Sequence, residues 1–239
     1  MTIQKQLQLT VVLLLAIAAP ATAQFAPFDI LTRTSIPIII QCPGCNAANR
    51  NKRPNTPKTT ATKAEIGKLS YNPSAAVRQR NIARLIKDIR VNDPDAAEKL
   101  ERTFASNDLI DRMGEIMVAS GLNQNNLADA YAFYWTNAWQ AFSGHNQDLS
   151  KTEIVAVRSQ TARILLATPQ FRTATDAQKQ EIAEMMIIQT IFVSASIDSA
   201  KSDPTQLANA KASIAKGAKN FGLDFDRMTL TPQGFEFTK

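Results

Sequence analysis

One histidine and two cysteines are all the imidazole and thiol this 239-residue chain carries. A closed structural zinc site draws four ligands from those residue types, so His145, Cys42 and Cys45 fall short of one. The chain holds no G-x-S-x-G elbow, no H-E-x-x-H pair and no glycine-rich phosphate loop. That removes the hydrolase nucleophile turn, the zincin helix and the P-loop. Carboxylate pairs do occur, at Glu98/Glu101, Asp108/Asp111 and Glu181/Glu184. Each lies at helical spacing near Lys or Arg, the pattern of first-turn dipole partners and solvated helix faces. His145, just after Gly144 in SGHNQD, reads as a solvated loop residue. No period of 20–50 residues recurs, which argues against a solenoid. No catalytic residue, no metal ligand and no cofactor is assigned.

What the N-terminus does contain is an export signal. Lys5 supplies positive charge, Leu9 to Ala19 (LTVVLLLAIAA) is apolar, and Ala21-Thr22-Ala23 has the small-x-small pattern of a signal-peptidase site. The apolar run falls short of the roughly 20 residues a bilayer span needs. Residues 1–23 are therefore read as a signal peptide cleaved after Ala23, and the mature chain is expected in the periplasm or outside the cell. No cysteine follows the cut closely, so lipid attachment is not expected. No later segment reaches spanning length without a polar interruption, so no transmembrane anchor is expected in the mature chain.

Charge is unevenly divided. Residues 24–70 hold Arg33, Arg50, Lys52, Arg53, Lys58, Lys63 and Lys68 against Asp29 and Glu65, while residues 71–239 hold nineteen charges of each sign. A neutral body does not match the domain-wide basic surface of a nucleic-acid binder, so no nucleic acid is expected. For an exported protein the basic leader points to anionic envelope components or another envelope protein as partners; a merely solvated linker fits the same charges.

Both cysteines lie in this leader, in CPGC. A thioredoxin-type centre needs a βαβ setting, and no crossover follows. Pro43-Gly44 suits the central positions of a type II turn, with proline fixing one φ and glycine accepting the positive one. An oxidising envelope then favours a disulfide between Cys42 and Cys45, with a bridge between chains as the rival. Ahead of it, Ile36 to Gln41 (IPIIIQ) is β-branched enough for one edge strand. Behind it, Asn46 to Ser70 lacks helical or strand periodicity and reads as a flexible basic linker.

From residue 71 the pattern becomes helical. Asp93-Pro94 and Asp203-Pro204 pair a capping acceptor with a proline that needs no donor, and Ser150 with Glu153 forms a capping box. The predicted fold is all-α: a single bundle of six or seven helices around a buried central helix at about 176–201, with the tail from Leu223 packed back on it. The central assignment rests on Met185 to Ala195 (MMIIQTIFVSA), which lacks the polar face of a surface helix.

The fourth predicted helix, Asn126 to Phe142, concentrates the aromatics. Leu127, Tyr131, Trp135 and Trp139 recur every four residues, with Tyr134, Ala138 and Phe142 alongside; Phe133 lies towards Asn137 and Gln140. Aromatics at this spacing are core by default. A second reading takes Tyr131, Trp135 and Trp139 with Asp129, Asn137 and Gln140 as a groove for a sugar or a peptide.

The segments YNPSAAVRQRNIARLI, LADAYAFYWTNAWQAF, ARILLATPQFRTATDAQKQEIAE and GLDFDRMTLTPQGF together resemble a proteobacterial family of signal-bearing helical proteins that carries a domain-of-unknown-function label. The resemblance covers about residues 71–235 and leaves the leader outside. It implies an exported helical domain and transfers no activity or catalytic residue. The sequence thus points to a non-enzymatic binding or interaction module of the bacterial envelope. Two alternatives stand beside it: an envelope-directed hydrolase using a carboxylate such as Asp129, and an assembly subunit pairing through residues 36–45.

Overall fold

A computed structural model describes residues 60–145, 147–220 and 222–238. Its helices in chain order are α1 (Lys63–Gly67), α2 (Ala75–Arg90), α3 (Pro94–Ser106), α4 (Leu109–Ala119), α5 (Leu127–Ser143), α6 (Lys151–Ala167), α7 (Pro169–Arg172), α8 (Asp176–Ala200) and α9 (Pro204–Asn220). A 3₁₀ turn at Phe225–Arg227 leads into β1 (Met228–Thr231) and β2 (Gly234–Phe237), an antiparallel hairpin with Leu230 opposite Phe235.

Side-chain caps set the helix starts. Thr62, Ser150 and Thr175 form reciprocal capping boxes with Glu65, Glu153 and Gln178 at α1, α6 and α8. Ser74, Asp93, Asp108 and Asn126 cap α2, α3, α4 and α5, each relieving backbone N–H groups that a first turn leaves without partners. Gly144, at φ 73°, closes α5 in the left-handed conformation glycine adopts without strain.

The all-α bundle holds, and its centre is where the sequence placed it. Helix α8 packs chiefly against α5 and is flanked by α2, α4 and α9, while α6 covers the other side of α5. Every residue of α8 from Ile182 to Ile191 is buried. By length and composition α8 could cross a membrane, but these apolar residues belong to the core shared with α5. Burial on all sides of nearly three turns is what an apolar helix without a polar face requires.

Glu184 lies within this buried stretch, so the solvated-face reading of Glu181/Glu184 is corrected. Its carboxylate, 1% exposed, accepts from Arg78 Nε at 3.0 Å, Asn81 Nδ2 at 2.7 Å and Gln180 Nε2 at 2.9 Å. Arg78 continues outward to Asp108 and Asp111, which ties α2, α4 and α8 together. Glu181 pairs with Arg84 on α2. A buried carboxylate tolerates the loss of water only with such partners.

The packed body also begins earlier than residue 71. Ala61, Leu69 and Tyr71 are buried, and Ser70 bridges to Asn126. The linker reading therefore fails for residues 60–70, where one short capped helix and a single anchoring leucine leave too little periodicity to read. The tail does pack back on the bundle, through a hairpin the sequence reading did not draw. The proposed signal peptide, the IPIIIQ strand, the Cys42–Cys45 bridge and the linker up to residue 59 lie outside the described residues.

Candidate functional site

The aromatic helix has two faces with different fates. Tyr131, Tyr134 and Trp135 are buried in the core, with Tyr131 and Trp135 edge to face at 6.3 Å. Burial pushes the Tyr131 and Tyr134 hydroxyls well above the usual phenol range. Trp139 is half-buried and covered by the chain's own tail: its ring lies 6.3 Å from Phe235, and Phe225 lies 5.8 Å from Phe142. His145 also rests on Trp139, at 5.6 Å, and is half-buried. The hairpin thus sits where the sequence reading placed a groove.

Asp129 belongs to the interior as well. It is 1% exposed; Oδ2 accepts from the Asn123 N–H at 3.0 Å, and Oδ1 stands 3.6 Å from Arg158 Nε, beyond hydrogen-bonding distance. Burial outweighs that bond and Arg158, and pushes the carboxyl up to about 6. A pKa near 6 suits a general acid, yet Asp129 does not line the cavity described next.

Asn137 and Gln140 do line it. The opposite face of α5, with Phe133, Thr136, Asn137, Gln140 and Ala141, forms one wall of a cavity of about 450 Å³. The loop after α5 contributes Gly144, Asp148 and Leu149, and α6 contributes Ile154. The end of α8 adds Ser194, Ile197, Asp198 and Lys201, and α9 adds Leu207 and Lys211. Its size and its mixture of apolar wall with a few convergent polar groups match small-molecule sites.

Charge within the cavity is mixed. The Asp198 side chain is only 9% exposed and lies 3.8 Å from Lys201 Nζ. Burial raises its carboxyl above the ordinary range, with Lys201 opposing. Lys211 Nζ lies 3.1 Å from where a Cβ on Gly144 would stand, so the left-handed glycine ends α5 and also admits the ammonium. A cation at a helix C-terminus is favoured by the helix dipole.

Of the six residues singled out in sequence for a groove, Asn137 and Gln140 meet at this cavity, whereas Asp129, Tyr131 and Trp135 are internal and Trp139 is under the tail. Asp198, Lys201 and Lys211 carry no signal in the sequence pattern, because they join Asn137 only through packing across more than 60 residues of sequence. Among the described residues no cluster of His, Cys, Asp and Glu is suited to a metal ion.

The chain belongs to the DUF6683 family, a family of unknown function, whose model matches residues 2–238. The match takes in the leader, which the resemblance read over residues 71–235 had left outside. No curated protein and no solved structure gives a match to the chain.

Proposed function

We propose that this protein is an exported, non-enzymatic binding module whose ligand occupies the cavity between α5, α8 and α9. One observation carries the reading: side chains from four helices and a loop converge on a partly open cavity of about 450 Å³ with both apolar and charged walls. The hydrolase alternative lacks a comparable basis, since Asp129 is internal.

The test is thermal denaturation of the chain 24–239 with a panel of amino acids, sugars, polyamines and nucleotides. A ligand that binds only the folded state raises Tm in proportion to its saturation. The expected result is that one class raises Tm and that Ala141→Phe, which fills the cavity, removes the response while the fold persists. If no class acts, or if Ala141→Phe responds equally, the reading is wrong.

Export is supported by the pattern at Lys5, Leu9–Ala19 and Ala21–Ala23, and an envelope partner by the basic residues of the leader. Because residues 60–70 are packed into the body, the leader is best tested by trimming residues 46–59. Trimming should weaken association with anionic envelope material at low salt; unchanged association removes that role.

A further inference from the structure

Resting on the cavity as a ligand site, we infer that it takes a small zwitterion, a free amino acid or short peptide, with the ammonium group on Asp198 and the carboxylate on Lys211. Several lining side chains already spend a donor on the backbone. The Thr136 hydroxyl donates to the Ala132 and Phe133 carbonyls at 2.8 and 3.1 Å, Asn137 Nδ2 to Phe133 O at 2.7 Å, and Gln140 Nε2 to Gln147 O at 2.8 Å. The amide oxygens of Asn137 and Gln140 accept no hydrogen bond from the described residues. A ligand therefore finds open acceptors here for donors of its own, such as an ammonium group.

Asp198 makes the demand stronger. Its carboxylate is more than nine-tenths buried, while Lys201 stands 3.8 Å off with its own side chain 64% exposed to water. A buried anion with so loose a partner gains from a cation that reaches it directly. At the Gly144 end, Lys211 has no ion pair or hydrogen bond among the described residues, so it is the cation available to a ligand's carboxylate. Phe133, Leu149, Ile154, Ile197 and Leu207 also line the cavity and offer an apolar wall for a hydrocarbon side chain.

Rival ligands use this lining less fully. A polyol would satisfy the acceptors but would leave the Lys211 charge and the apolar wall without matching groups. A simple anion would meet Lys211 but face the negative charge of Asp148 and Asp198. A simple amine would reverse those two outcomes.

Calorimetric titration of the chain 24–239 tests this with leucine and leucyl-leucine, with 4-methylpentanoate, which lacks the ammonium group, with 3-methylbutylamine, which lacks the carboxylate, and with sorbitol. The expected result is binding of leucine or its dipeptide at least about tenfold tighter than any of the other three, equivalent to about 1.4 kcal/mol. Asp198→Asn should erase the preference over 4-methylpentanoate, and Lys211→Met the preference over the amine, with Lys211→Arg restoring it. Circular dichroism of each variant separates a lost site from a lost fold. If sorbitol or a singly charged analogue binds as tightly as leucine and Ala141→Phe blocks it, the zwitterion inference falls while the cavity remains a ligand site. If neither leucine nor the dipeptide binds, the inference falls; silence across the wider panel removes the cavity reading with it.

Discussion

Gln160 supplies Phe235 with both hydrogen bonds that a neighbouring strand would make. Its Nε2 donates to Phe235 O at 2.9 Å, and its Oε1 accepts from Phe235 N–H at 2.8 Å. A side-chain amide on α6 thereby closes the outer edge of β2. Gly234, at φ 100°, is needed beside it, because a Cβ there would stand 2.4 Å from Gln160 Oε1.

Two substitutions test that latch. Gln160→Ala should cost about 1–3 kcal/mol by leaving the Phe235 backbone groups without partners, and Gly234→Ala a comparable amount through the positive φ and the contact. Urea denaturation gives the cost, and hydrogen exchange at the Phe235 amide shows whether the hairpin has opened. An unchanged Phe235 exchange rate in Gln160→Ala would show that the latch does not hold the tail.

What the sequence made legible follows from local physics. Caps at Asp93, Ser150 and Thr175 act within one helical turn and the apolar run at Met185–Ala195 within about three, so helix starts and the central helix could be read directly. The tail could not: Leu223, Phe225, Met228, Leu230 and Phe235 signal burial, but the hairpin depends on Gln160, 75 residues away from Phe235. Glu184 escaped for the same reason, since its partners Arg78 and Asn81 sit more than 100 residues earlier. Three of the cavity's four charged side chains, Asp198 and Lys201 at the end of α8 and Lys211 on α9, come from elements far from α5 in sequence, and no pattern within one helix signals them.

Asp129 makes a stability term that runs opposite to that of most carboxylates. Its folded pKa is raised to about 6 from 3.8, so between those values the folded chain holds a proton that the unfolded chain has released. Stability from this group is thus highest below about pH 3.8, falls as pH rises to 6, and stays lower above it. The shift corresponds to a penalty of about 3 kcal/mol at neutral pH. Asp129→Asn removes the titration, so the difference in unfolding free energy between wild type and variant should change in the variant's favour from pH 4 to pH 7. A pH-independent difference would show that Asp129 titrates alike in both states.

Asn126 fastens the segment ahead of residue 72 to the bundle. Its Oδ1 accepts from the Ala128 and Asp129 N–H groups at 2.9 and 3.3 Å, and its Nδ2 donates to Ile66 O at 2.8 Å and Ser70 Oγ at 2.9 Å. One residue thus caps α5 and holds the strap whose Leu69 is fully buried. Asn126→Ala should cost about 2–4 kcal/mol, a lost cap together with buried groups left unpaired. Trypsin should then cut sooner at Lys63 and Lys68, both exposed on the strap. If cutting there is no faster, the strap is held by Leu69 and Tyr71 rather than by Asn126.

Trp135 and Trp139 decide how the aromatic face of α5 is used. Trp135 is 2% exposed and in edge contact with Tyr131, whereas Trp139 is half-buried beneath Phe235. Trp135→Ala should therefore cost about 3–5 kcal/mol, the range for truncating a fully enclosed aromatic. Trp139→Ala should cost less, because part of that ring already faces water and the loss falls on the tail contact. Urea midpoints with unchanged m-values would measure both on one scale. Neither substitution should weaken a cavity ligand by more than a few-fold, since Asn137 and Gln140 lie on the other face of the helix. A Trp135→Ala protein within about 1 kcal/mol of wild type would mean that the ring is not a core element, and the groove would have to be reconsidered on this face.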